Sequence, residues 1–160
     1  MGAVIMLKNR LVILLLILAL ISGCEKEYEP ESDGSLVFGV AYGFCVGDCA
    51  HFFQIKDGAL FKDKIERYVG EDLAFESTPL SNDKYILAKP LVRDFPKYLK
   101  EHPNKTIGCP DCADQGGYHL ILQTESESQY WHIDTSTGSQ PDEIKAYMEK
   151  VRTVLEQLKD

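Results

Sequence analysis

The chain has 160 residues, of which 44% are hydrophobic and 26% charged, and its formal net charge is −8. That length suits one domain with a modest core and does not comfortably hold two. The acidic balance argues against nucleic acid and anionic lipid as partners of the folded part, since neither is drawn to a negative surface.

The first residues read as a targeting segment and not as fold. Lys8 and Arg10 form a positive n-region, and Leu11 to Ile21 is an unbroken run of eleven apolar residues. A membrane span needs about 20 apolar residues. This run is too short, and it stops at Ser22-Gly23-Cys24 ahead of an acidic stretch. Export is therefore the expectation. Ile21-Ser22-Gly23-Cys24 resembles the lipobox of bacterial lipoproteins, in which an aliphatic residue and two small residues precede an obligatory cysteine. The resemblance implies that residues 1–23 are a signal peptide and that Cys24 becomes the lipidated first residue of the mature chain. Its sulfur would carry a diacylglyceryl group and its new amino terminus a fatty acyl chain such as palmitate. Each buried CH₂ of such chains contributes about 0.8 kcal/mol, and more than one chain makes anchoring stable. Met6-Leu7-Lys8-Asn9-Arg10 is itself a complete n-region, so Met6 competes with Met1 as the start.

Glu25 to Ser35 is acidic and poor in apolar residues, with Pro30 and Gly34, so it reads as a tether. The organisation expected is residues 1–23 as signal peptide, 24–35 as lipidated cysteine and tether, and 36–160 as one domain. Glu25 is not the aspartate associated with inner-membrane retention, which favours the outer membrane. The charged residues after Cys24 also look like the acidic signals that send some gram-negative lipoproteins to the cell surface.

Leu36 to Gly43 predicts a strand with Leu36, Phe38, Val40 and Tyr42 on one face. His51 to Lys56 and Ala59 to Lys62 flank Asp57-Gly58, a strong hairpin signal because both turn positions tolerate positive φ. Glu66 to Leu80 reads as irregular. Asn82 or Asp83 then caps a helix through Lys89, which Pro90 interrupts. Phe95 to Glu101 reads as a second short helix with Pro96 in its first turn. Tyr118 to Glu125 and Gln129 to Asp134 form a second hairpin around Ser126 to Ser128, with Trp131 and Ile133 facing the core and Tyr130 and His132 facing outward. A last helix opens with Pro141, Asp142 and Glu143 in its first turn. It buries Ile144, Tyr147, Met148, Val151, Val154, Leu155 and Leu158 at helical spacing.

The fold class expected is α+β: an antiparallel sheet with helices packed on one face. Cys49-Ala50 and Cys112-Ala113 each precede a hairpin, which suggests a degenerate duplication of a hairpin-helix unit; two unrelated hairpins are the alternative.

Beyond Cys24, Cys45 and Cys49 lie in Cys-Val-Gly-Asp-Cys, and Cys109 and Cys112 in Cys-Pro-Asp-Cys. Two disulfides are the first reading, because an exported domain meets an oxidising compartment. Four cysteines allow three connectivities, and local pairs are preferred because each closes its own loop. A tetrahedral zinc site is the second reading, since two close pairs separated by a long stretch follow zinc-ribbon spacing; His51, His119 or His132 could complete a mixed site. The third is thiol redox chemistry at Cys109 and Cys112, although a strand rather than a helix is expected after the motif. Asp48, Asp111 and Asp114 beside glycines lack the oxygen ladder of a calcium loop and read as turn formers. Gly-x-Ser-x-Gly, phosphate-loop and His-Glu-x-x-His patterns do not occur.

Cys45-Val46-Gly47-Asp48-Cys49 followed by a strand and Asp57-Gly58 is similar to a group of uncharacterised bacterial secreted proteins with a Cys-x-Gly-x-Cys loop before a β-hairpin. Those proteins often carry proline after the second cysteine, where this chain has Ala50. The resemblance implies a fold and no activity. The functional expectation is a membrane-anchored lipoprotein whose non-enzymatic, disulfide-stabilised domain binds an unidentified protein or small molecule without a cofactor. The alternatives are a zinc-binding protein and a thiol-disulfide oxidoreductase.

Overall fold

The structure is a computed structural model that describes residues 34–65 and 73–159. The signal peptide, Cys24, most of the tether and residues 66–72 of the irregular stretch lie outside the described residues.

The fold is α+β. Strands β1 (Ser35–Ala41), β2 (Ala50–Lys56), β3 (Ala59–Lys62), β4 (Lys105–Ile107), β5 (Gly117–Gln123) and β6 (Ser128–Asp134) form one sheet in the order β3-β2-β1-β5-β6-β4. Every pair is antiparallel except β4 with β6. The described residues also form helices α1 (Asn82–Ala88), α2 (Pro90–Arg93), α3 (Lys97–Glu101) and α4 (Asp142–Leu158), with a 3₁₀ turn at Thr137–Ser139.

The main core lies between the helices and one face of the sheet. Leu36, Phe38, Val40, Phe53, Ile55, Leu120, Trp131 and Ile133 meet Ala88, Leu91, Leu99 and the apolar stripe of α4. All seven residues expected on that stripe are buried, and complete burial of a large apolar side chain contributes about 1.5 to 3 kcal/mol. Two buried donors lock helices and sheet in register. Tyr147 Oη donates to the Leu91 carbonyl at 3.0 Å, and Trp131 Nε1 donates to the His102 carbonyl at 2.8 Å. The Arg93 and Lys150 side chains bind the Asp94 carboxylate, joining α2 to α4 and holding that carboxyl down at about 2.

On the opposite face, Val37, Ala41, Ala50 and Phe52 pack with Leu73, Phe75 and Ile121. β1 is consequently buried on both sides along its whole length. Gly39 is the position where close packing demands a missing side chain. A Cβ there would lie 2.5 Å from both the His51 carbonyl oxygen and the Phe52 ring.

The Asp57-Gly58 hairpin forms as expected, with φ of 50° and 70° at the two turn residues. Several sequence expectations need correction. β1 begins at Ser35, which is buried and donates to Gln123 Oε1 at 2.7 Å, so the tether ends one residue earlier. The strand stops at Ala41, short of Gly43. Ser81, not Asn82 or Asp83, stands at the N-cap of α1, and it makes no side-chain cap bond. Pro90 does not break the path sharply: Lys89 stays in helical conformation and Pro90 opens α2, where its absent N–H costs nothing. Pro96 and Pro141 stand just ahead of α3 and α4 in extended conformation, not in their first turns.

β4 was not expected at all. Its three residues are too few to show a period, and its parallel pairing depends on β6, more than twenty residues later. The expected order of cysteine loop, hairpin and helix does occur twice, with β2-β3 ahead of α1 and β5-β6 ahead of α4, but the strands ahead of the two loops differ. The strand before the first cysteine loop pairs beside β2, whereas β4, before the second loop, pairs with β6 and not β5.

Gly39→Ala should lower stability by about 1 to 3 kcal/mol, because the backbone oxygen of His51 cannot move aside without shifting β2. Urea unfolding would measure this, and an unchanged midpoint would contradict the close approach of β1 and β2.

Candidate functional site

Ala41, the last residue of β1, lies opposite both Ala50 of β2 and Gly117 of β5. The loop leaving β1 (42–49) and the loop entering β5 (108–116) must therefore emerge side by side from one end of the sheet. Each is closed by a cysteine pair at disulfide distance. The Cα separation is 5.4 Å for Cys45 and Cys49 and 5.6 Å for Cys109 and Cys112, within the range a disulfide spans without backbone movement. The pairing is local.

One carboxylate joins the two loops. Gly43 N donates to Asp111 Oδ2 at 2.8 Å, and Gly116 N donates to Asp111 Oδ1 at 2.9 Å. Asp111 reaches this position with φ of 59°, a left-handed conformation that aspartate tolerates better than most residues. Gly116 (φ 72°) lets Tyr42 approach; a Cβ there would sit 2.5 Å from the Tyr42 ring. Asp134, at the end of β6, supports the second loop by accepting from Cys109 N at 2.9 Å and Ser136 N at 2.8 Å. Burial pushes its carboxyl upward, but these donors, with the side chains of Ser139 and Gln115, outweigh it and hold the carboxyl below the usual range. Gln115 adds two bonds, accepting from Ala113 N at 2.7 Å and donating to the Cys109 carbonyl at 2.9 Å.

The aspartates are therefore turn and loop ties, as the sequence suggested. Asp111 serves two backbone donors, and Asp48 lies 3.5 Å from His51 Nε2. Among the described residues no three His, Cys, Asp or Glu side chains are grouped as a metal ion would need. His51, His119 and His132 do not join the cysteines in such a group. After Cys112 the chain turns through Asp114 and Gly116 directly into β5, so the helix N-terminus that stabilises a thiolate in thioredoxin-like motifs has no counterpart here.

What sequence reasoning missed is the apolar tip of the first loop. Phe44 is 88% exposed and Val46 is fully exposed. The available signal was their position: both flank a cysteine in a glycine-rich loop too short to fold back onto the sheet. A second feature lies on the face away from the helices. The His119 and His132 rings stack at 4.3 Å between centroids, and His119 Nδ1 is hydrogen-bonded to Tyr130 Oη at 2.8 Å. Burial, then the neighbouring His132, holds His119 down at about 3. Burial also lowers His132, against an upward pull from Asp111.

The chain matches no family model and no curated protein. Among the described residues no helix is long and apolar enough to cross a membrane.

Two outcomes follow from this geometry. Native protein treated with a thiol-alkylating reagent after denaturation should take up no label at Cys45, Cys49, Cys109 or Cys112 and weigh about 4 Da less than the reduced chain, two hydrogens per bond. One bound zinc and four alkyl groups would instead restore the metal reading. The histidine stack sets a pH dependence. Unfolded His119 protonates near 6.5 while the folded residue resists protonation until about 3, so the unfolded chain binds more protons between those values. Stability should fall as pH drops below 6.5, by about 1.4 kcal/mol per pH unit from this residue. Urea midpoints from pH 7 to 4.5 test it, and His119→Leu should flatten the slope.

Proposed function

We propose that this chain is a bacterial lipoprotein, held at the outer membrane by acyl chains on Cys24, whose folded domain is a non-enzymatic binding module. Its contact surface is the rim formed by the two cysteine loops. The observation that carries the reading is the exposed Phe44 and Val46 pair, held out in solvent by a covalently closed loop that Asp111 ties to its neighbour. A small domain ordinarily buries such side chains. Fixing them in place before any partner arrives reduces the ordering entropy that binding costs.

Polarity along β1 supports display. The chain enters β1 at Ser35, opposite Gln123 and Lys56, while the loops leave the other end beyond Ala41. Seven residues at about 3.3 Å each place the rim roughly 20 Å from the tether's point of entry. The lipobox, the acidic tether and Glu25 after Cys24 supply the address.

Cells fed a labelled fatty acid should incorporate it into the wild-type chain, and Cys24→Ser should abolish labelling and shift the protein out of the membrane fraction. A wild-type chain that takes up no label would refute the anchor.

A further inference from the structure

At the open edge of the sheet, β4, α3 and the turn before α4 border a cleft of about 440 Å³. Tyr98, His102, Lys105, Ile107, Gln140 and Pro141 contribute to its lining, which includes a lysine and a histidine but no carboxylate. Gln140 is 5% exposed. Its Nε2 donates to the Asp134 carbonyl at 2.7 Å, but its Oε1 has no hydrogen-bond partner among the described residues.

The rim has the opposite character. Residues 42–49 and 108–116 contain Asp48, Asp111 and Asp114 and no lysine or arginine, and they present Phe44 and Val46 to solvent. We infer that the rim of one copy docks in the cleft of a second copy. Phe44 and Val46 enter against Tyr98, Ile107 and Pro141, and Asp48 faces Lys105.

Size permits this. An apolar cavity of about 150 Å³ accommodates a benzene ring, so the cleft has room for a benzyl and an isopropyl group together. Charge favours it over an anionic bilayer, which three aspartates beside the tip would repel. Because rim and cleft are different surfaces of one molecule, the contact is heterologous. It closes as a dimer only where two copies exchange rims reciprocally, and otherwise propagates along a row. A contact this small is transient in dilute solution, and confinement of the chain to a membrane would raise the effective concentration that sustains it. The inference rests on the proposed function, both the rim as a binding surface and the lipid anchor that concentrates the chain.

The test uses the full-length chain in bacterial cells, with Phe44 replaced by photoreactive benzoylphenylalanine. Irradiation should give an adduct of twice the chain mass, and peptide mapping should place the cross-link in residues 98–108 or 137–141 of the second copy. Lys105→Glu should reduce the yield roughly threefold to fivefold, and adding Asp48→Lys to it should restore the yield. Lys105 and Asp48 are exposed, so an unchanged urea midpoint checks that these variants stay folded. An adduct with another protein, or a dimer cross-linked elsewhere, would overturn the rim-in-cleft contact while leaving the rim a binding surface. An adduct with lipid alone, or none, would overturn both.

Discussion

The central strand is the constraint on which the rest of this molecule depends. β1 is paired on both edges, with β2 and β5, and buried on both faces, so all seven of its residues are shielded from water. A strand in that position admits no polar side chain in its middle and no bulk where neighbours crowd it, which is why glycine stands at position 39. Its two edges also decide where the cysteine loops go. One loop leaves the end of β1, and the other enters the strand paired beside that same end, so the rim is a consequence of strand pairing.

The rim itself is held by three kinds of bond at different ranges. The cysteine pairs close their own loops over four and three residues. Asp111 then ties one loop to the other across 68 positions of sequence. Asp134 and Gln115 fasten the second loop to the sheet. A disulfide acts mainly by restricting the unfolded chain, typically by about 2 to 4 kcal/mol, whereas the Asp111 bonds act on the folded state, where two backbone donors gain a charged acceptor. Together they replace the apolar burial that a short surface loop cannot provide. Phe44 and Val46 therefore stay outside without loosening the fold.

The two faces of the sheet divide the remaining work. The helix side carries the main core, with α4 laid along it and Tyr147 and Trp131 as buried donors. The other side carries a smaller apolar cluster and the stacked His119 and His132 rings. Burying the His119 imidazole is tolerable near neutral pH because it is uncharged there, and the same burial makes that face the one that responds to acid.

Patterns of short range in the chain were legible without the structure. The α4 stripe shows because its seven core residues recur at the helical period. The Asp57-Gly58 turn shows because only such residues accept positive φ in succession. Local cysteine pairing shows because each pair closes a short loop. The sheet order, the parallel β4, the Asp111 tie and the exposure of Phe44 and Val46 did not show. Each depends on which segments meet after distant strands have paired, and a three-residue strand or a single aspartate leaves no periodic trace. The sequence by itself determined the elements whose stabilising contacts lie within a few turns of the chain. Only tertiary structure decided which loops became neighbours, because one antiparallel partner on each edge of β1 brings together ends that the sequence keeps far apart.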